Sequence, residues 1–100
     1  MTAGAERDLA ELDAYIAQHD SPGNADHVLD QLQRVIDRLA HFPERGVCPS
    51  ELAELGAREF RQVFFKPYRV IYRIHGKRVF VVVIADGRRD MRTLLMQRLL

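Results

Sequence analysis

The chain has 100 residues, of which 47% are hydrophobic and 29% are charged, which excludes a fully disordered chain and allows one folded domain with a modest core. No apolar run approaches the ~20 residues needed to cross a membrane, and the single cysteine, Cys48, excludes an internal disulfide. We therefore expect residues 1–100 to form a single domain in the cytoplasm.

Charge is unevenly divided along the chain, although the net charge is only +1. Residues 1–56 carry four arginines against eleven acidic residues, a net charge of −7, whereas residues 57–100 carry eleven basic residues against three acidic ones, a net charge of +8. Two interpretations are open at this point. The basic half binds an anionic partner, or acidic helices lie on a basic sheet within one fold.

Two amphipathic helices are predicted first. Apolar residues at helical spacing predict a helix from about Ala3 to Gln18, with Ala5, Leu9, Leu12 and Ile16 on one face. After a short break, either Ser21 or Asn24 caps a second helix that extends to about His41. Its stripe consists of Ala25, Val28, Leu29, Leu32, Val35, Ile36 and Leu39. The short break predicts an antiparallel helical hairpin.

Residues 42–58 are predicted to be irregular. Pro43 and Gly46 stop the second helix, and Ser50–Leu55 is expected to form a short helical turn that ends at Gly56.

Strand signals begin at Glu59. Glu59–Lys66 is rich in Phe and Val, Pro67 interrupts it, and Tyr68–His75 follows as an alternating strand. One face of that strand carries Tyr68, Val70, Tyr72 and Ile74, and the other carries Arg69, Ile71, Arg73 and His75. After a turn at Gly76–Lys77, the apolar run Val79–Ala85 predicts a central strand that is covered on both faces.

A short C-terminal helix completes the predicted fold. Asp90 is expected to cap it, with Met91, Leu94, Leu95 and Leu99 on one side. The predicted class is α+β, an N-terminal antiparallel helical hairpin packed on a small antiparallel sheet of about three strands, followed by the short helix.

Five segments carry a resemblance to a known family. They are Ala5–Leu9, Leu39–Gly46, Tyr68–Arg73, Val79–Ala85 and Gly87–Asp90. In this order and at this spacing they resemble the RelE/ParE toxins of bacterial type II toxin–antitoxin systems. The segment from Asp90 to Leu99 is closer to ParE than to RelE.

One departure from the family lies at the start of the chain. The family usually begins with a β-strand ahead of the first helix, whereas Met1 lies almost on that helix. Either the start was assigned downstream of the true one, or this copy lacks the strand. In the second case we expect an open sheet edge and a lower stability without a partner.

The resemblance implies candidate site residues. In RelE-like ribonucleases, basic side chains on the sheet orient mRNA and offset charge on the scissile phosphate. Arg69 and Arg89 match two such arginines and Arg61 lies near a family lysine, so these three are the catalytic candidates if the chain is RelE-like. The target-binding candidates are Arg69, Arg73, Arg88 and Arg89. As a strand residue, Arg69 is equally suited to pairing with an acidic group of the fold.

Other parts of the RelE arrangement do not match. Leu95 occupies the position of a RelE tyrosine, and arginine is a poor general base because it stays protonated. His75 is the nearest titratable group but lies beside the predicted turn, and Cys48 has no evident base. No metal or cofactor is predicted. Two roles are open for Leu94, Leu95 and Leu99. They either pack over the hydrophobic core or form a surface that binds the antitoxin.

Three functions follow from the resemblance. The first is a growth-inhibiting toxin that binds and poisons DNA gyrase, without being an enzyme. The second is a RelE-like, ribosome-dependent mRNA endonuclease, an mRNA interferase. The third is a degenerate, non-toxic module that only binds an antitoxin. All three imply an acidic, partly disordered antitoxin that folds against this domain in a hetero-oligomer, and none implies a membrane partner.

Overall fold

The elements form three layers, which are a helical pair, a three-stranded sheet and a C-terminal helix. A computed structural model describes residues 1–100. In chain order the elements are α1 (Ala3–His19), α2 (Pro22–Arg38), α3 (Ser50–Ala53), β1 (Phe60–Phe65), β2 (Tyr68–His75), β3 (Arg78–Asp86) and α4 (Met91–Leu99). The predicted α+β fold is confirmed. None of the helices combines the length and the apolar character that crossing a membrane requires.

Two helices start at caps that were predicted from the sequence. The Ser21 hydroxyl accepts a hydrogen bond from the Asn24 N–H, so Ser21 and not Asn24 caps α2. The Asp90 carboxylate accepts one from the Thr93 N–H, which confirms the predicted cap of α4. Each cap satisfies an N–H group that has no partner within its helix.

Helices α2 and α3 are both shorter than predicted. Helix α2 ends at Arg38 and not at His41, because the N–H groups of the next three residues bond to carbonyls only three positions back. Helix α3 ends at Ala53 and not at Leu55, because the N–H groups of Leu55 and Gly56 bond to carbonyls only three positions back. Such bonds tighten the chain out of α-helical geometry, and an apolar pattern does not reveal them.

The sheet is antiparallel with the strand order β1-β2-β3. Strand β2 is therefore central, and the prediction that Val79–Ala85 forms the central strand is wrong. That run lies in β3, at an edge of the sheet. It is nevertheless covered on both faces, because Val81 and Ile84 belong to one core cluster and Val83 and Ala85 to the other. Coverage of the faces, and not a position between two strands, explains its apolar composition.

Each face of the sheet has its own core. The first face packs against α1 and α2, and includes Val63, Val70, Tyr72, Val81 and Ile84 together with every residue of the predicted helix stripes except Leu29. The opposite face packs against α3 and α4, and includes Phe60, Ile71, Val83, Ala85, Leu52, Met91 and Leu95. The alternation predicted for β2 is thus confirmed, and the arginines of β2 share the second face.

The outer edge of β3 bonds to groups from the two ends of the chain and not to another strand. Asp8 and Arg98 form an ion pair at 2.9 Å beside this edge. The bonds run from the Thr2 N–H to the Val81 carbonyl (3.0 Å), from Arg98 Nη2 to the Val82 carbonyl (3.1 Å), and from the Ile84 N–H to Asp8 Oδ2 (3.0 Å). These contacts satisfy backbone N–H and carbonyl groups of β3 that would otherwise be free to pair with a strand of another chain.

A buried tyrosine joins the sheet to the loop that follows α2. The Tyr72 side chain is fully buried, and its hydroxyl donates to the Pro43 carbonyl at 2.6 Å and accepts from the Gly46 N–H at 3.0 Å. A Cβ on residue 46 would lie 2.7 Å from the tyrosine oxygen and 2.6 Å from the Gln62 carbonyl oxygen. Only glycine allows the backbone to come this close to Tyr72. The segments Leu39–Gly46 and Tyr68–Arg73, which both carry the family resemblance, therefore meet in one contact.

We predict that Tyr72→Phe lowers the free energy of unfolding by about 1–3 kcal/mol, because the buried Gly46 N–H loses its acceptor. Urea unfolding at pH 7 measures the change. Tyr15→Phe is the matched control, since the Tyr15 side chain is 61% exposed. A Tyr72→Phe loss no larger than that of the control would contradict the structural role of the hydroxyl.

Candidate functional site

The Arg69 side chain lies on the second face of the sheet and is held by a carboxylate. Its Nη1 lies 2.7 Å from Glu51 Oε2 and its Nη2 lies 2.9 Å from Glu51 Oε1, a bidentate pair. Its Nε donates to Gln62 Oε1 at 2.8 Å. The Arg69 side chain is 12% exposed and that of Glu51 is 24% exposed. Every nitrogen of this guanidinium group is thus directed at a partner within the chain.

The two partners of the pair come from distant parts of the sequence. Arg69 is fixed by its position in β2, directly across from Phe64 in β1, and Glu51 lies in the first turn of α3. The hydrogen bond from Arg69 lowers the pKa of Glu51 to about 2, against the opposing effect of burial. Glu51 is therefore ionised throughout the neutral range and neutralises Arg69.

The loop between β3 and α4 brings Arg88 and Arg89 to the same end of the sheet as Arg69. The Gly87 N–H donates to the Pro67 carbonyl, and a Cβ at Gly87 would lie 2.9 Å from Arg69 Cδ. Arg88 pairs with Asp86 at 2.6 Å, and this hydrogen bond lowers the pKa of the Asp86 carboxyl. Arg89 is exposed and forms no ion pair.

Arg73 lies on the same face as Arg69 but towards the other end of β2, about 13 Å along the strand at the usual rise per residue. It is exposed and forms no ion pair, and together with His75, Phe80 and Arg98 it lines a cavity of about 370 Å³. The structure therefore separates Arg73 from the other predicted target-binding arginines.

Arg61 lies on the opposite face of the sheet from Arg69, across from Tyr72. Its Nη1 donates to the Glu44 carbonyl at 3.1 Å and to the Gly46 carbonyl at 2.8 Å. The three catalytic candidates are therefore not brought together. Arg69 and Arg89 share one end of the sheet, whereas Arg61 binds the loop that Tyr72 also holds.

The leucines of α4 divide between core and surface. Leu95 is fully buried in the second core cluster, and Leu94 and Leu99 are half-buried against it. As placed, Leu95 packs against the sheet, and an added partner reaches only the outer parts of Leu94 and Leu99.

The remaining reactive side chains do not form a cluster. The Cys48 thiol lies near the carbonyls of Pro49 and Ala57, and His75 packs edge-on against Phe80 near the β2–β3 turn. No group of three His, Cys, Asp or Glu side chains is arranged to hold a metal ion.

Ion pairs connect the acidic half of the chain to the basic half. Three of the four pairs do so, namely Glu51–Arg69, Glu54–Arg92 and Asp8–Arg98. Internal charge complementarity therefore accounts for part of the uneven charge. Glu51, Asp8 and Arg98 could not be identified from the sequence, because ion pairs between residues so far apart in sequence leave no local pattern.

A helical pair packed on a small antiparallel sheet, with arginines on one sheet face, is the architecture expected of a RelE/ParE-type toxin. The family model described as "ParE toxin of type II toxin-antitoxin system, parDE" matches residues 1–91, and the chain belongs to that family. It is also similar to Toxin ParE3 of Caulobacter vibrioides, with 36% identity over 63 residues. That match covers 63% of this chain and 59% of the relative's length. The resemblance inferred from the sequence motifs is confirmed.

We predict that Glu51→Gln lowers the free energy of unfolding at pH 7 by about 1–3 kcal/mol, since Arg69 loses its charged partner. Because the folded-state pKa of Glu51 is about 2, below its ordinary value of 4.5, the stabilisation is complete above about pH 5 and is lost as the pH falls towards 2. Urea unfolding between pH 7 and pH 2 measures both effects.

Glu54→Gln is the control for this substitution, because Glu54 and Arg92 form a pair in which both side chains are more than half exposed. The Glu51→Gln variant should lose less stability on acidification than the wild type. Equal slopes for the two proteins between pH 5 and pH 2 would contradict the assignment.

Proposed function

We propose that this chain is a growth-inhibiting toxin that binds DNA gyrase and is silenced by a cognate antitoxin. Its membership of the ParE family supports a toxin. The observation that carries the choice of mechanism is the Arg69–Glu51 pair. A RelE-like cleavage needs this arginine to face the scissile phosphate, whereas here a carboxylate already occupies its donors. This arrangement favours binding of a target over catalysis.

The proposed target surface consists of exposed cations, two of which have no ion-pair partner. Arg89 and Arg73 are exposed without an ion pair, and the Arg88 side chain is 77% exposed although it contacts Asp86. Exposed cations of this kind steer association with an acidic protein surface. Arg69 contributes by fixing the shape of this face through Glu51 and Gln62.

The antitoxin is proposed to be an acidic polypeptide that is partly disordered until it binds. The outer parts of Leu94 and Leu99 are an apolar surface that such a segment can cover, and Leu95 supports them from the core. The chain and its antitoxin would then form a hetero-oligomer without a cofactor.

Induced expression of the chain, with and without the protein encoded by the adjoining reading frame, tests the mechanism. DNA supercoiling and protein synthesis are followed in the same culture. We expect loss of gyrase-dependent supercoiling before protein synthesis falls, and recovery when the antitoxin is present. Immediate translation arrest with cleaved mRNA would instead support the RelE-like endonuclease. Absence of any growth effect would support the non-toxic binding module.

We predict that Arg89→Glu and Arg73→Glu each weaken inhibition of purified gyrase by about tenfold, equivalent to about 1.4 kcal/mol of binding free energy. Arg7→Glu is the matched control, because Arg7 is exposed on α1 and forms no ion pair. Unchanged inhibition in both sheet variants, measured by a supercoiling assay, would show that the target surface lies elsewhere.

A further inference from the structure

The outer edge of β1 is paired at only one residue. The Val47 carbonyl accepts a hydrogen bond from the Gln62 N–H at 2.8 Å, in an isolated antiparallel bridge. Backbone groups on a strand alternate in direction, so the N–H and carbonyl of Phe64 also point away from β2. The chain turns away after this bridge, and no residue pairs with the edge at Phe64. The Val47–Gln62 bridge is therefore the only pairing on this edge, and the backbone groups of Phe64 remain without a partner strand.

An apolar groove runs beside this edge. It has a volume of about 330 Å³ and lies between the C-terminal half of α2 and β1, with Val35, Leu39 and Val63 in its lining. Two large apolar side chains border it, since Phe64 is 50% exposed and Val47 is 64% exposed. Exposed apolar groups along an open strand edge are uncommon in a protein that acts alone.

The charge around the groove indicates the chemistry of its occupant. Arg38 and Arg45 also line it, both are exposed, and neither forms an ion pair. An occupant therefore needs carboxylates at its margins and apolar side chains towards α2. In an extended segment, alternate side chains point to opposite faces, so one strand meets both requirements.

We propose that the outer edge of β1 around Phe64, with the adjoining groove, is the place where an acidic, extended segment of the antitoxin docks as an added antiparallel strand. Main-chain bonds to Phe64 would provide affinity, and the groove and its two arginines would select alternating apolar and acidic side chains. This inference rests on the proposed function, since it identifies a surface for the silencing partner in addition to the outer parts of Leu94 and Leu99.

Hydrogen exchange of the wild-type chain tests the edge directly, alone and in complex with the antitoxin encoded by the adjoining reading frame. The Phe64 N–H should exchange at least about tenfold more slowly in the complex, because it gains an acceptor. A complex that neutralises toxicity but leaves Phe64 unprotected would overturn the edge assignment and leave the proposed function standing. Absence of any complex would overturn both.

Two pairs of variants test the side chains in the same complex. Phe64→Ala and Arg45→Glu should each weaken antitoxin binding by at least about tenfold. Their controls, Tyr15→Ala and Arg7→Glu, change an exposed aromatic and an exposed arginine on α1, and should alter the dissociation constant by less than about twofold. Circular dichroism and urea unfolding establish that each variant is folded.

Two outcomes would reassign the surface. Loss of binding in Tyr15→Ala with no loss in Phe64→Ala would place the antitoxin on a cavity of about 460 Å³ between α1 and β3, which Tyr15 and Ile84 line, and would overturn the proposal. Protection of Phe64 in the isolated chain that grows with protein concentration would assign the edge to a second copy of the chain, and would overturn it as well.

Discussion

The rest of the arrangement depends on the hydrogen bonds of the Tyr72 hydroxyl. Tyr72 belongs to the central strand, and its side chain lies in the core beneath the helical pair. The hydroxyl binds both the Pro43 carbonyl and the Gly46 N–H of the loop that follows α2. The guanidinium group of Arg61 holds the same loop from the neighbouring strand. Because the loop is fixed at these points, Val47 lies at the edge of β1 and forms the isolated bridge with Gln62 beside the groove. The proposed docking surface is thus a consequence of a buried hydrogen-bond network.

The uneven charge of the sequence has two physical roles in the fold. Part of it is internal, because the acidic half supplies the partners of Arg69, Arg92 and Arg98. The rest is external, because Arg73 and Arg89 have no such partner. A guanidinium group that is already bidentate with a carboxylate attracts a further anion only weakly, whereas a free one retains its full charge. The ion pairs therefore determine which arginines of the basic half are available to a target, and a count of basic residues does not.

Most of the fold could be predicted from the sequence, and the candidate site only in part. The helix stripes, the Ser21 and Asp90 caps and the alternation of β2 are local signals, and each was sufficient for its element. The position of β3 at the edge was not predictable from its apolar run, because covered faces and a central position give the same composition. Likewise the partner of Arg69 could not be identified, because Glu51 lies eighteen positions away in the short helix α3 and only the tertiary fold brings it close.

The proposed docking edge and the arginines at the β3–α4 end of the sheet are physically connected. Phe64 lies directly across from Arg69 in the sheet register, so a strand added beside Phe64 would run about 10 Å from the Arg69 strand, two strand spacings away. The loop that carries Arg89 begins at the same end, where Gly87 contacts Arg69. Arg69 is already paired with Glu51, and Arg89 follows β3, a further strand spacing away. The carboxylates of an acidic strand would therefore act on Arg89 from about 14 Å, which is more than one Debye length. An antitoxin segment on the β1 edge would lie at the same end of the sheet as Arg89 without neutralising it, so silencing would need contacts of the antitoxin beyond this strand.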